Sequence, residues 1–549
     1  MSGKANPGLD TSHTTATSPI SALAPRPINS ICSSIPMNAK TAQGTSSSRN
    51  YIADQPHLPS QITETKQPNI DSNPDSNPGS NPTRTPERTP SEPRANSMRT
   101  PFELSVAPIR TYVLRTWITG PANSLPGRNW RMNCACGRFA GVASGVMLYT
   151  LILTLLLGGI PAVAAAPRAG VARIDITPKE PVWMSGYAAR KRPSTGVQMP
   201  IQAKALALED GRGGRVVLVS VDIIGLSAAL SDRVAAEVAS KYKLERSQLV
   251  LNSSHTHTGP MVDGNLSPMA PSDEAELAKI RAYTNTLAEK LVTVIGASLG
   301  DLAPARLHFD YGEAGFAINR RKREIAPVDH RVPVLRVSAP NGQIRALLFG
   351  YACHNTTLTA EFLEISGDYA GYAQAQLEKE FPGATALFFM LCGGDQNPEP
   401  RSRRELAEKH GGELAREVAR IARTPMEPVE GRLRTALQLT RLVLSNMKQV
   451  NYPVQAVRFE KGFTLITLGG EVVVDYALKF TAQYPRERLM VAGYSNDVMC
   501  YIPSLRILRE GGYEGGDSMK WYNLDAPFAE DVEERVTASV AAVMERVRK

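Results

Sequence analysis

Three consecutive segments decide the fold: GRVVLVSVDIIG (214–225), SAALSDRVAAEVASKY (227–242) and SQLVLNSSHTH (247–257). The first is a continuous apolar run that ends near Asp222 and Gly225, as in a strand buried on both faces. The second repeats apolar residues at helical spacing, and the third returns to a short apolar run. Strand, helix and strand in this order predict a parallel crossover unit.

The same alternation recurs further along the chain, and each later apolar run delivers polar residues just past its end. These runs are IRALLFGYACH (344–354), ATALFFMLCGGDQNP (384–398), GFTLITLGGEVVVDYALKF (462–480) and ERLMVAGYSNDVMCYIP (487–503). In open α/β sheets, ligand crevices form outside the carboxyl ends of the strands. We therefore predict an α/β fold with a mixed or mainly parallel sheet flanked by helices, and one site at the strand carboxyl ends.

The N-terminal part differs in composition from the rest. Residues 1–135 are rich in Ser, Thr, Pro and Asn and contain near-repeats such as SNPDSNPGSNPTRTPERTP, so we expect them to be disordered. Residues 139–166 lack charged side chains and exceed the roughly 20 apolar residues that span a bilayer. They predict a signal peptide or a membrane anchor, and hence an exported protein (periplasmic or secreted) or an anchored one. Translation from Met132 would turn this stretch into an ordinary export signal.

Charge and cysteine content narrow the function classes. The net charge is +9, but residues 1–166 carry +6 of it, which leaves the rest nearly balanced. A nucleic-acid partner is not expected, because basic charge is not concentrated on the part predicted to fold. That part contains three cysteines (Cys353, Cys392 and Cys500), too few for a paired disulfide framework.

His255 and His257 lie two residues apart at the end of an apolar run. In extended backbone their side chains point the same way, so the pair could hold a metal, hold a substrate or merely occupy a loop. His354 and Glu471 follow other runs and favour the metal interpretation, since zinc takes imidazole and carboxylate ligands. For Glu471 the alternative is an acid near a helix N-terminus. Three other histidines (His308, His330 and His410) are assigned ordinary surface or structural roles.

Several segments occur in a fixed order: NSSHTHTGP (252–260), GYACHNTTLTAEFLEISGDYAGYA (350–373), LCGGDQNP (391–398), GGE (469–471), GYSNDVMCY (493–501) and GGYEGG (511–516). Together they resemble the neutral/alkaline non-lysosomal ceramidase family, in particular its zinc-dependent N-terminal catalytic domain. The resemblance covers residues 168–549. It implies a hydrolase of sphingolipid metabolism that cleaves the amide of N-acylsphingosine (ceramide), with Zn2+ as cofactor. The expected partners are an acyl-amide or sphingolipid-like substrate and a membrane surface.

The resemblance also implies roles for individual residues. The zinc ligands map onto His255, His354, Glu471 and Tyr501. His257 corresponds to the general base that acts on water. The residues that line the reacting carbonyl map onto Arg320 and Tyr513, while the alternative for Arg320 is a surface charge beside Arg321 and Lys322. Asp395 and Asn397 are expected to contact the substrate.

The chain departs from the family pattern at one position that bears on the chemistry. The family motif Gly-Asp-Val-Ser-Pro-Asn is replaced by Gly394-Asp395-Gln396-Asn397-Pro398, so an acyl-serine route is unavailable there. We also expect the family's C-terminal immunoglobulin-like domain to be missing. These departures keep two alternatives open: a metal hydrolase of an ester, peptide or acyl sugar, and a catalytically silent domain that binds a ligand.

Overall fold

A computed structural model describes residues 166–322 and 325–549. The predictions for residues 1–135 and 139–166 lie outside these described residues, apart from Ala166. In the described part of the chain, no helix combines the length and apolar character needed to cross a membrane.

Strands and helices alternate along the described residues and are numbered in chain order. The strands are β1 (Arg168–Asp175), β2 (Gly196–Val197), β3 (Gln202–Glu209), β4 (Arg215–Val221), β5 (Leu249–Ser253), β6 (Ala303–Pro304), β7 (Arg306–Glu313), β8 (Ala317–Asn319), β9 (Arg331–Ser338), β10 (Ile344–Tyr351), β11 (Glu364–Ile365), β12 (Thr385–Met390), β13 (Gln396–Pro398), β14 (Glu427–Pro428), β15 (Glu430–Val443), β16 (Gln449–Lys461), β17 (Thr464–Leu468), β18 (Glu471–Val472), β19 (Leu489–Ala492) and β20 (Tyr501–Ile502). The helices are α1 (Ala228–Tyr242), α2 (Glu274–Gly300), α3 (Asp368–Glu380), α4 (Arg404–Arg423), α5 (Val474–Gln483), α6 (Leu505–Glu510), α7 (Gly512–Gly515) and α8 (Val532–Arg548). Short 3-10 helices occupy Arg246–Gln248, Ser267–Met269 and Asp517–Tyr522.

Most strands belong to three larger sheets with the orders β5-β4-β3-β1-β6, β12-β10-β9-β7-β14 and β15-β16-β17-β19. Each of these sheets contains one parallel pair, and its other pairs are antiparallel. The α/β class and the mixed alternative are therefore confirmed, and the mainly parallel alternative is not. The continuous apolar runs wrongly indicated parallel strands, because a strand such as β3 is also buried on both faces although it is antiparallel to both neighbours.

Each parallel pair is built around a helix, as the sequence predicts. In the first, Ser227 caps α1 by accepting a hydrogen bond from the backbone N–H of Leu230, and α1 buries Leu230, Val234 and Val238. It connects β4 to its parallel neighbour β5. The units β10-α3-β12 and β17-α5-β19 repeat the arrangement in the other two sheets.

The three sheets share one apolar interior, to which each contributes buried side chains such as Leu218, Phe389 and Leu465. Asn252, at the end of β5, ties the sheets together there. Its side-chain nitrogen donates to the carbonyl of Gly493 at 2.8 Å, and its side-chain oxygen accepts from the Met390 N–H at 2.9 Å. These contacts bring the carboxyl ends of β5, β12 and β19 to one place.

Candidate active site

Four side chains converge where these strands end. The His255 and His354 Nε2 atoms each lie 3.1 Å from the Glu471 Oε2 atom, and the Tyr501 hydroxyl lies 3.2 Å from His354 Nε2. None of the four residues is more than 3% exposed. The structure therefore brings together all four residues that the family resemblance implies as metal ligands.

Backbone carbonyls fix the tautomers of the two histidines. His255 Nδ1 donates to the Ile224 carbonyl at 2.7 Å, and His354 Nδ1 donates to the Gly393 carbonyl at 2.8 Å. Because a carbonyl oxygen can only accept, the proton sits on Nδ1 and the Nε2 lone pair faces Glu471. Burial, followed by the charge of Arg320, lowers the pKa of His354 to about 4, so its ring is neutral near pH 7.

The arrangement fits a divalent cation. Burial works to raise the pKa of Glu471, but the His255 and His354 rings take up a proton before this carboxylate does and then hold its pKa well below the usual range, so the carboxylate is ionised. The anionic oxygen of Glu471 then faces the Nε2 lone pairs of both histidines at hydrogen-bond distance. This arrangement is unfavourable by itself, and a cation bound between the three atoms would stabilise it. Zinc bonds of about 2.0–2.1 Å in a tetrahedron place ligands about 3.3 Å apart, close to the separations here.

His257 lies beside this cluster, with its Nε2 atom 3.2 Å from His255 Nε2. The ligand nitrogens of His255, His257 and His354 lie within 4.8 Å of one another, so these three also form a candidate metal-binding group. Burial, followed by the repulsion that His255 and His354 exert once they are protonated, lowers the pKa of His257 well below its usual value. The ring is therefore neutral near pH 7 and can accept a proton.

The loop that carries Gly186 and Arg190 positions His257, and sequence reasoning missed both residues. Gly186 has φ +95°, and a Cβ atom on it would lie 2.4 Å from His257 Nδ1. Arg190 donates from Nη1 to the carbonyls of His257 at 2.6 Å and Ser185 at 2.7 Å. An isolated glycine in a loop gives no sequence signal for such a contact.

Arg320 points into the site, so its alternative assignment as a surface charge is wrong. Its Nη2 atom donates to the Tyr501 hydroxyl at 3.0 Å and to the Gly394 carbonyl at 2.9 Å. Its Nε atom donates to Glu514 at 2.7 Å, and Nη1 donates to the Asn397 side-chain oxygen at 3.3 Å. The guanidinium is thereby held beside the phenol of Tyr501.

Two tyrosines that sequence reasoning also missed support Glu471: Tyr494 is buried and Tyr522 is partly buried. The Tyr522 hydroxyl donates to Glu471 Oε1, and the Tyr494 hydroxyl donates to Oε2 at 3.4 Å. Tyr522 ends a 3-10 helix in the chain that follows the GGYEGG segment. No spacing pattern relates it to Glu471, because loop packing makes the contact.

The remaining predicted residues divide between the cavity and the layer beneath it. Tyr513 is 41% exposed, and its ring centroid lies 5.3 Å from that of Tyr501. Asp395 is fully buried, and its carboxylate accepts hydrogen bonds from the Asn319 side chain at 2.7 Å and the Val474 N–H at 2.8 Å. These bonds give Asp395 a positioning role, and a direct substrate contact stays a prediction.

An open cavity of about 600 Å³ leads to this cluster. His257, Arg320, Asn397, Tyr501 and Tyr513 all contribute to its lining. The predicted base, the guanidinium and the phenol therefore lie on the wall of one cavity.

Comparison with known proteins adds an independent result. Residues 168–398 match the family model described as "Neutral/alkaline non-lysosomal ceramidase, N-terminal". The matched part includes His255, His257, His354 and Arg320, whereas Glu471 and the tyrosines of the site lie beyond it. Their assignment depends on the family resemblance and on the distances above.

Individual relatives point to the same family. The neutral ceramidase of Pseudomonas aeruginosa is 26% identical over 250 residues, which cover 42% of this chain and 37% of the relative. Neutral ceramidase B of Dictyostelium discoideum is 25% identical over 244 residues, which cover 40% and 34%. The chain thus spans little more than a third of the length of these relatives.

A solved structure shows the same fold. The crystal structure of neutral ceramidase from Pseudomonas aeruginosa matches with a TM-score of 0.59 and 19% identity, over 70% of this chain and 75% of that chain. A ceramidase complexed with C2 matches with a TM-score of 0.59 and 18% identity. With the sequence relatives, the family model assigns residues 168–398 to the neutral/alkaline non-lysosomal ceramidase family, and the solved structures agree with it in fold.

Proposed function

We propose that this protein is a zinc-dependent amidohydrolase that cleaves the amide of an N-acylsphingosine or a related acyl amide. The observation that carries the proposal is the meeting of the His255 and His354 Nε2 atoms at 3.1 Å from one Glu471 oxygen, beside an open cavity. The two relatives compared above are both neutral ceramidases, which supports the type of bond.

His255, His354, Glu471 and Tyr501 would hold the cation. Imidazole and carboxylate groups suit zinc, although other divalent ions accept the same donors. When bound, such an ion polarises an acyl carbonyl and acidifies water, which is the chemistry that amide hydrolysis needs. Burial, followed by the charge of Glu471, raises the pKa of Tyr501 well above its usual value, so a facing cation is needed to make this phenol a strong ligand.

His257 would move the proton. It borders the cavity, and in its neutral form it can take a proton from the attacking water and deliver it to the departing amide nitrogen. Water supplies the hydroxyl of the new acid. The C–N bond breaks, and the nitrogen leaves as an amine with the delivered proton. No protein nucleophile is required.

Arg320 would stabilise the charge that develops on the carbonyl oxygen. A guanidinium has five N–H donors, and four of them are engaged by Glu514, Tyr501, Gly394 and Asn397. One Nη1–H is left for the substrate, in a fixed direction. The Asn397 side chain orients this guanidinium and offers no hydroxyl for an acyl-enzyme.

We also propose that the protein is exported or membrane-anchored and that residues 168–549 form its catalytic domain. The uncharged run at residues 139–166 supports the localisation. N-terminal sequencing of the protein from an extracytoplasmic fraction is expected to begin after this run. Recovery from the cytoplasm alone would count against export.

Purified full-length protein, chelated and then reloaded with Zn2+, tests the proposal on N-acylsphingosines with short and long acyl chains. We expect zinc-dependent release of fatty acid that His255→Ala abolishes and that the distant His308→Ala leaves unchanged. Release from esters, peptides or acyl sugars without cleavage of any acyl amide would favour the alternative hydrolase. A folded, metal-free protein that cleaves none of these substrates would favour the silent binding domain.

A further inference from the structure

The cavity is lined by polar and charged side chains. Its lining comprises three glycines, three tyrosines, four cationic residues, two glutamates, and one residue each of histidine, threonine and asparagine. Leucine, isoleucine, valine, methionine, phenylalanine and tryptophan are absent from it among the described residues. The exposed aliphatic side chains of the described chain (Val197, Ile325, Leu439 and Met447) also lie outside this lining. An alkyl chain of a substrate would therefore meet tyrosine rings and glycines here but no aliphatic side chain from the described part of the chain.

The charges of the lining do not balance. Four cationic side chains face two carboxylates, so the lining carries a surplus of two positive charges with histidine neutral. The carboxylates of Glu510 and Glu514 are both used by Arg320, Arg321 and Lys322. The remaining cation, Arg401, is exposed, and its side chain makes no hydrogen bond or close ion pair within the described residues, although its charge acts on Glu361 and Tyr187 from further away.

A hydroxyl without a hydrogen-bond partner lies close to Arg401. The Thr356 hydroxyl is buried, lines the cavity and has no hydrogen-bond partner in the described chain. The Ser402 N–H donates to the Thr357 carbonyl at 2.8 Å, which joins the segment of Arg401 to that of Thr356. The preceding residue, Asn355, accepts from the His257 N–H at 3.2 Å, so Thr356 adjoins the predicted base.

A buried hydroxyl without a partner loses its hydrogen bonds to water, unless a ligand restores them. A guanidinium beside it offers forked donors that match a carboxylate or similar planar anion. Both groups border the cavity that contains His257 and Arg320. They form a subsite for an anion within reach of the amide bond.

We propose that the preferred substrate is an acyl amide that carries an anionic group, which Arg401 and Thr356 bind during cleavage at the neighbouring cluster. This inference rests on the proposed function, because it names the substrate class of the same site. The anion belongs either to the amine side or to the acyl side of the amide. An anion on either side offers the negative charge and the hydrogen-bond acceptors that Arg401 and Thr356 would bind.

Two matched pairs of amides test the inference on full-length, zinc-loaded protein. N-octanoylglycine is compared with N-octanoylethanolamine for an anion on the amine side, and N-succinyloctylamine with N-butanoyloctylamine for one on the acyl side. In at least one pair we expect kcat/KM to be about tenfold higher for the anionic member. Arg401→Gln should remove that preference by raising KM, Arg401→Lys should keep part of it, and Arg403→Gln, a nearby exposed arginine outside the lining, should change nothing.

Binding of the same amides to chelated protein separates this inference from the proposed function. We expect the preferred anionic amide to bind about tenfold more weakly to Arg401→Gln and to Thr356→Val than to the parent protein, and more weakly at high salt. Selective binding without acid release from any amide would refute the proposed function and leave the anion subsite supported. Equal binding and cleavage within both pairs, or no effect of Arg401→Gln on the anionic members, would overturn the subsite.

Discussion

Replacing Gly186 by alanine should impair the predicted base while leaving the metal ligands in place. The new Cβ atom would lie 2.4 Å from His257 Nδ1, whereas normal contact needs about 3.5 Å. The His257 ring must then move by about 1 Å, because Arg190 holds its backbone carbonyl at 2.6 Å. A displacement of about 1 Å in a catalytic group costs about 100-fold in rate, so we expect kcat to fall by that order.

A matched variant separates the effect of backbone strain from the effect of the contact with His257. Gly213 has φ +98°, close to the φ +95° of Gly186, but a Cβ atom there would meet nothing within 4 Å. Each alanine should cost about 1–2 kcal/mol of unfolding free energy from the positive φ alone. The assay compares kcat for acyl-amide hydrolysis, bound zinc and denaturant unfolding. A Gly186→Ala protein whose kcat stays within about threefold of that of Gly213→Ala would refute the role of His257.

Three further variants test other parts of the site. Tyr522→Phe removes a donor from buried Glu471 and should lower the unfolding free energy by about 1–3 kcal/mol and the zinc affinity by about tenfold, as measured by denaturation and metal titration. In Asn397→Ser, water should remain the nucleophile, with no acyl-enzyme in the mass spectrum, because Arg320 would hold the new hydroxyl as its hydrogen-bond partner. A stable acyl adduct would contradict this. For Asp395, burial raises the pKa from 3.8 to about 6, so this carboxyl should lower the stability of the parent protein by about 3 kcal/mol as pH rises through that interval. Denaturation over this pH range should show a fall that is smaller by that amount in Asp395→Asn, since other buried carboxyls such as Asp368 titrate in both proteins.

The strand ends of the site could be predicted from the sequence because they depend on local patterns. Apolar runs that stop at His255, His354 and Glu471 mark the carboxyl ends of strands, and such ends converge in α/β folds. Each of the three belongs to a different sheet, which the sequence did not predict. Asn252 joins those sheets through its side chain, and a single asparagine inside an apolar run gives no indication of this contact.

The supporting residues could not be predicted, for a related reason. Gly186, Arg190 and Tyr522 act through loops whose positions depend on packing between distant segments, and no periodicity records such packing. Strand direction was ambiguous too. Burial on both faces produces the same apolar run in β3, which is antiparallel to both neighbours, as in a parallel strand.

The metal content of the purified full-length protein tests the central claim most directly. If His255, His354, Glu471 and Tyr501 share one cation, elemental analysis should find about one divalent ion per chain, and His354→Ala should lose it while remaining folded. A folded parent protein that binds no divalent ion, even after incubation with zinc, would contradict the account.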